Sequence, residues 1–248
     1  MPGVRPNTNV FVNCPFDRAF APLFDAVVFA VLDCGYTPRC TLEVQDSGQS
    51  RIDKIYALIE QSACGIHDIS RTQLDAASRL PRFNMPFELG LFLGAKRFGL
   101  GTQKKKACLV LDRERYRYHK FLSDIAGQDI RAHHDRVKDV ITAVRDWLGP
   151  LTRGRSLPGG KEVTRRYHGF RRALPMLYRS LKLDEEGLTF TDYTNLISGS
   201  WKKTGSPASA GPARPTTSGK PPVRRIDITV PNANLTAMEY ASRPGGRQ

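Results

Sequence analysis

Several familiar signatures are missing from this 248-residue chain. No GxGxxG follows its first apolar run and no GxxxxGK[ST] occurs anywhere, which counts against a Rossmann dinucleotide fingerprint and a P-loop NTPase. GxSxG and HExxH are absent as well. Cysteine is sparse: Cys14, Cys34, Cys40, Cys64 and Cys108 are dispersed, odd in number and never in CxxC spacing. That argues for a reducing compartment and against both a disulfide framework and a zinc site. No apolar run reaches the length a bilayer span needs, and the opening Met1-Pro2-Gly3-Val4-Arg5-Pro6 lacks the apolar core of a signal peptide. The expectation is a soluble, cytoplasmic protein with no membrane partner and no metal.

Acidic residues are also in short supply, 24 against 38 Lys and Arg for a net charge of +14. The shortage is local. Residues 1–150 hold 21 basic and 17 acidic side chains, a net of +4, while residues 151–248 hold 17 and 7, a net of +10. A basic extension of this kind suits nucleic acid, an anionic membrane or an acidic partner, and says little about the chemistry of the first 150 residues.

What the chain does have is alternation. Asn9–Asn13 is a short apolar run that reads as a buried strand; Asp17 then opens a helix carrying Phe20, Leu23, Phe24, Val27, Val28 and Val31, which Gly35 stops. Tyr36–Glu43 reads as a second strand, Gln45–Ser50 as a polar loop, and Ile52, Ile55, Tyr56 and Ile59 as a second amphipathic helix. Ala63–Ile69 is a third strand and Lys106–Leu111 a fourth, and Val137, Ile141, Val144 and Leu148 mark a later helix. This order predicts an α/β fold: a doubly wound, flavodoxin-like, mostly parallel sheet with helices on both faces.

Between the third and fourth strands lies the stretch with the most chemistry. From Phe83 to Ala95 only Glu88 is charged until Lys96 is reached. Asn84 suits a helix cap and Pro86 a first turn, which places Glu88 in the first turn of that helix. Phe87, Leu91, Ala95 and Phe98 at i, i+4, i+8 and i+11 predict its buried face. Burial raises a carboxylate's pKa while a helix N-terminus favours the ionised form, so Glu88 is a candidate catalytic group.

In doubly wound sheets, ligands bind beyond the carboxyl ends of the strands, where strand order reverses. Three polar clusters fall there: Asn13 to Asp17, Glu43 to Arg51 and Asp68 to Arg71; Glu88 opens the helix after the third. His67 reads as a strand residue facing the core or a helix. His133-His134 reads as a solvated helix start, because adjacent residues do not share a helix face.

With these residues in view, the chain resembles the superfamily of TIR domains and nucleoside 2-deoxyribosyltransferases. The resemblance rests on Asn9–Asn13 with Cys14-Pro15-Phe16-Asp17, on Asp68-Ile69-Ser70, and on Asn84-Met85-Pro86-Phe87-Glu88-Leu89-Gly90. It covers residues 8–148 and is nearest to the bacterial TIR-like branch found among predicted antiviral defence effectors. It implies cleavage or transfer at an N-glycosidic bond of a nucleotide, with NAD as a substrate and not a cofactor. Glu88 matches the catalytic carboxylate of that family and Asp68 its acid after the third strand. Asn13, Asp17, Ser70 and Asn84 would line the substrate site, and Arg51 could meet a phosphate in a bidentate contact. The segment Arg71–Arg82 departs from the family pattern, which leaves NAD and other nucleosides both open as substrates.

The remainder is less regular. Arg113–Ile130 interleaves basic residues with tyrosines, as some nucleic-acid surfaces do, and it reads as a solvated helix whose aromatics pack on the sheet; Asp124 and Asp129 could border the site. Residues 149–202 read as a basic helical extension, with Tyr167, Phe170, Leu174, Leu177, Tyr178 and Leu181 on one face and a short helix near Phe190–Trp201. Residues 203–248 read as a disordered basic tail, Ser/Pro/Gly/Lys-rich from Lys203 to Arg225, with Ile226–Val230 as a strand or partner-binding motif within it. The expected activity is hydrolysis of NAD to nicotinamide and an ADP-ribose product. The rivals are a nucleoside deoxyribosyltransferase, a module that binds a nucleotide signal without turning it over, and a nucleic-acid-associated protein using its basic half. A homo-oligomer and an activating partner are further expectations.

Overall fold

The computed structural model describes residues 7–74, 79–81, 83–152, 154–185 and 187–204, the last four of these by backbone alone. Five strands form one parallel sheet in the order β2-β1-β3-β4-β5: β1 (Asn9–Asn13), β2 (Thr37–Arg39), β3 (Cys64–Asp68), β4 (Ala107–Asp112) and β5 (Arg131–Ala132). Among the described residues six α-helices accompany it: α1 (Ala21–Asp33), α2 (Arg51–Gln61), α3 (Asn84–Phe98), α4 (Val137–Leu148), α5 (Gly160–Leu181) and α6 (Phe190–Thr204). This is the α/β, flavodoxin-like arrangement that the alternation predicts, with the reversal of strand order between β1 and β3.

Period-two alternation sends the strand side chains to a first core on one face of the sheet and to two smaller clusters on the other. Val10, Val12, Ile66, Leu109 and Leu111 pack with α1, α4, α5 and α6. Phe11, on the other face, packs with Ile55, Leu58 and Ile59 of α2 and Phe92 of α3. Gly65 of β3 is required on that second face: a Cβ there would stand 2.7 Å from the Phe92 ring. Gly35, at φ +76°, ends α1 in the left-handed region open to glycine.

The basic extension packs on the sheet's α1 side. Val163, Tyr167, Phe170 and Leu174 of α5 are buried in the first core, Phe29 of α1 meeting both Tyr167 and Phe170. Leu181 remains exposed. Arg155 donates to the Cys34 carbonyl, Arg166 pairs with Asp33 at 3.4 Å and Arg171 with Asp25 at 2.7 Å. The expected tail lies almost wholly outside the described residues, the Ile226–Val230 motif included.

Several elements differ locally from expectation. The second strand is shorter, because a 3-10 turn (Thr41–Glu43) takes its last residues. The first helix begins at Ala21, since Asp17 turns the chain back by accepting from the Phe20 amide instead of opening the helix. Between β4 and β5 there is no helix, only two short 3-10 turns, and Tyr118 from the first of them is buried against the sheet.

Candidate active site

The carboxyl ends of β1, β3, β4 and β5 bring polar side chains together at one rim. Asp68 ends β3 fully buried. Its Oδ1 accepts from the Ser70 amide at 2.9 Å and from the Ser70 hydroxyl at 2.5 Å, so Ser70 holds the carboxylate in a tight turn. His133, just after β5, is also fully buried and sets Nε2 3.2 Å from Asp68 Oδ2. Its Nδ1 accepts the Asp135 amide at 3.0 Å, which leaves Nε2 to carry a proton toward Asp68. The expectation of a solvated His133 is thus overturned: the two adjacent histidines precede α4, and only His134 points outward, to Asp139 at 3.0 Å.

Asp112 ends β4, fully buried, and Arg117 reaches across to it from the following turn. Arg117 Nε donates to Asp112 Oδ1 at 2.9 Å, and the rest of the guanidinium donates to the Ser70 carbonyl at 2.8 Å and the Thr72 hydroxyl at 2.7 Å. One cation therefore clamps the loop after β3 to the end of β4. Asp68 Oδ2, His133 Nε2 and Asp112 Oδ2 are buried without a hydrogen bond of good geometry. Such orphaned atoms are rare, and functional sites are one place they occur. Burial raises the Asp112 carboxyl, Arg117 opposing.

Glu88 is 4% exposed. It lies in the second turn of α3, not the first, because the helix starts at Asn84 with Phe83 at the cap position and no side-chain cap. Asn84 is exposed as the first helical residue and caps nothing. The buried face is also rotated from the expected one: Met85, Glu88, Leu89 and Phe92 face the sheet, whereas Phe87 and Phe98 are exposed. Two apolar stripes compete on this helix, and packing on Phe11 and His67 selects the one that contains Glu88. Burial raises the Glu88 carboxyl, and the Arg51 guanidinium, 3.8 Å away on the first residue of α2, lowers it in part.

Asn13 joins the two halves of the rim. Its amide donates to the Met85 carbonyl of α3 at 2.9 Å and lies 3.1 Å from His67 Nδ1. His67 itself faces α3 between Phe11 and Phe92, and burial pushes its pKa down to about 3, so it stays neutral. Cys14 follows Asn13. Burial holds its thiol well above the ordinary 9.0, and the charges of Asp68, Cys40 and Glu88 raise it further.

Asn13, Asp68, Ser70, Glu88 and Arg51 therefore gather at the β1/β3 switch point. Asp17 sits beside Arg71, 3.7 Å away. Asp124 and Asp129 are exposed, and Asp129 lines a hollow of about 690 Å³ outside β5 with Arg131, His134 and Lys138. A smaller hollow of about 160 Å³ lies between α2 and α3. Neither is lined by Glu88 or Asp68, which stand instead at the strand-order reversal, Glu88 with its carboxyl raised and Asp68 with an orphaned buried oxygen. Asp112 and Arg117 were not singled out from the sequence, and His133 was read there only as part of a solvated helix start. The one signal they gave was position, just after short apolar runs. Among the described residues no group of three or more His, Cys, Asp or Glu is placed to hold a metal ion. No protein-family model and no curated protein matches this chain.

Proposed function

We propose that this core cleaves an N-glycosidic bond of a nucleotide, with NAD as the substrate and nicotinamide and an ADP-ribose product released. The observation that carries this reading is Glu88: a carboxylate 4% exposed in an apolar helix face at the switch point, with the Arg51 guanidinium 3.8 Å away. The family resemblance of residues 8–148 points the same way. As the C–N bond breaks, its electron pair leaves with the nicotinamide, which departs neutral, and the anomeric carbon becomes oxocarbenium-like. Glu88 stabilises that cation or attacks it to form an ester, and water then adds and gives up a proton. Asp68, held by Ser70 and flanked by His133, is an acceptor for ribose hydroxyls. Arg51, half exposed at the start of α2, can turn from Glu88 to a phosphate.

The test is product analysis by liquid chromatography. The full chain is incubated with NAD and a nucleoside panel, over a range of protein concentrations, beside Glu88→Gln. Nicotinamide release by the parent, lost by at least about a thousandfold in Glu88→Gln, is the expected result, on the scale of removing an electrostatic stabiliser. Base release from another nucleoside would keep the mechanism and change the substrate. No turnover by a parent that still binds nucleotide would replace the enzyme with a binding module.

A further inference from the structure

Helix α3 has a second apolar face, and it is turned to solvent. Phe87 is 56% and Phe98 82% exposed, and Phe83 continues the stripe beyond the helix start. Between them Gly90 and Gly94 have no heavy atom within 4 Å of where a Cβ would stand. At 100° per residue, positions 87, 91, 94 and 98 fall on one stripe opposite Met85, Leu89 and Phe92. The charged residues Lys96 and Arg97 lie off it. Leu91 and Ala95 carry the apolar surface across to Tyr56 and Ile59 of α2, around the hollow of about 160 Å³. A helix apolar on both faces belongs in an interior, yet this one covers only its inner face.

The order of residues on the stripe names the occupant. From one end it runs Phe, Leu, Gly, Phe and from the other Phe, Gly, Leu, Phe, its positions symmetric about the midpoint between Phe92 and Leu93 so that the large and the small residue exchange places. If two copies of α3 cross antiparallel about a two-fold axis at that midpoint, Phe87 of each copy meets Phe98 of the other. Leu91 meets Gly94, a knob opposite an open hole, and Gly90 meets Ala95, which lets the backbones approach. Lys96 and Arg97 then lie level with positions 89 and 88 of the other copy, so like charges do not oppose. A self-complementary patch of this kind is what an isologous interface requires. Phe83, Phe87 and Phe98 together expose on the order of 400 Å² at typical aromatic areas, already at the size of the largest apolar patch usual on a monomer. We propose that the outer face of α3 is a homodimer interface, a second copy of this chain packing antiparallel across Phe87, Leu91, Gly94 and Phe98. The proposal is independent of the reaction, although the same helix carries Glu88 on its other face.

Sedimentation equilibrium of the nuclease-treated full chain, at salt high enough to suppress the basic half, tests it. The parent is expected to dimerise. Phe98→Glu, Phe87→Lys and Gly94→Gln should each weaken the dimer about thirtyfold or more, the scale of losing a buried anchor, with circular dichroism unchanged and melting lowered only by the loss of association. The double variant Phe87→Lys/Phe98→Glu should recover dimerisation, because the antiparallel register sets each Lys against a Glu of the other copy. A parent that stays monomeric overturns the proposal and leaves the face to a different protein. Dimerisation untouched by all three single variants, or no recovery in the double variant, overturns the interface or its register.

Discussion

Burial raises the Glu88 carboxyl above its ordinary 4.5, and Arg51 offsets only part of that. Above that ordinary value the unfolded chain has released a proton that the folded chain still holds. Stability therefore falls as pH rises through the window up to the folded value, and near neutrality the ionised side chain is a net cost to the fold. Glu88→Gln removes that cost. It should melt at or above the parent temperature near neutral pH, and the advantage should vanish in acid below the carboxylate's ordinary range; calorimetry across pH measures both. A lower melting temperature for Glu88→Gln near neutrality would mean that the Arg51 contact stabilises more than burial costs. Loss of activity with a gain of stability is the pattern expected of a group kept for chemistry.

At the level of elements, the rim depends on one cation. Arg117 joins the turn after β4 to the loop after β3 through Asp112, Ser70 and Thr72. Arg117→Met keeps the volume and leaves Asp112 buried with no counter-charge, which should cost about 3–5 kcal/mol. Urea unfolding would read that loss, and Asp112→Asn placed on top of it should restore part. An unchanged midpoint would show that water replaces the guanidinium at no cost. Ser70 and Asp68 lie at the end of the same loop, so any glycosidase activity should fall together with the stability.

At the level of the molecule, the basic half is partly engaged in folding. Of its cations, Arg155, Arg166 and Arg171 reach Cys34, Asp33 and Asp25 of α1 and its cap. Nine of the thirteen residues of α1 are buried, and Phe29 among them stacks on α5. A chain ending at Leu148 would keep every strand and strip that cover. It should aggregate or melt without a cooperative transition, whereas a chain ending at Thr204 should melt like the parent; scanning calorimetry of both decides it. Equal melting of the two would make α5 and α6 dispensable to the core.

The elements themselves were legible in the sequence, because helix and strand periodicity are local properties of an apolar pattern. β1, β3, β4, α2 and α4 fall within a residue or two of the runs that mark them. The burial of Glu88 was legible too, from a lone charge in an apolar stretch. Which of two apolar stripes on α3 turns inward was not, because the choice is made by Phe11, His67 and the space that Gly65 leaves for Phe92, on strands far away in the chain. His133 and Asp68 are 65 positions apart, and Arg117 and Ser70 are 47 apart. Nothing in their neighbours' pattern marks them as partners. Only the parallel pairing of β3, β4 and β5 brings their carboxyl ends to one rim, and that pairing is a property of the assembled sheet.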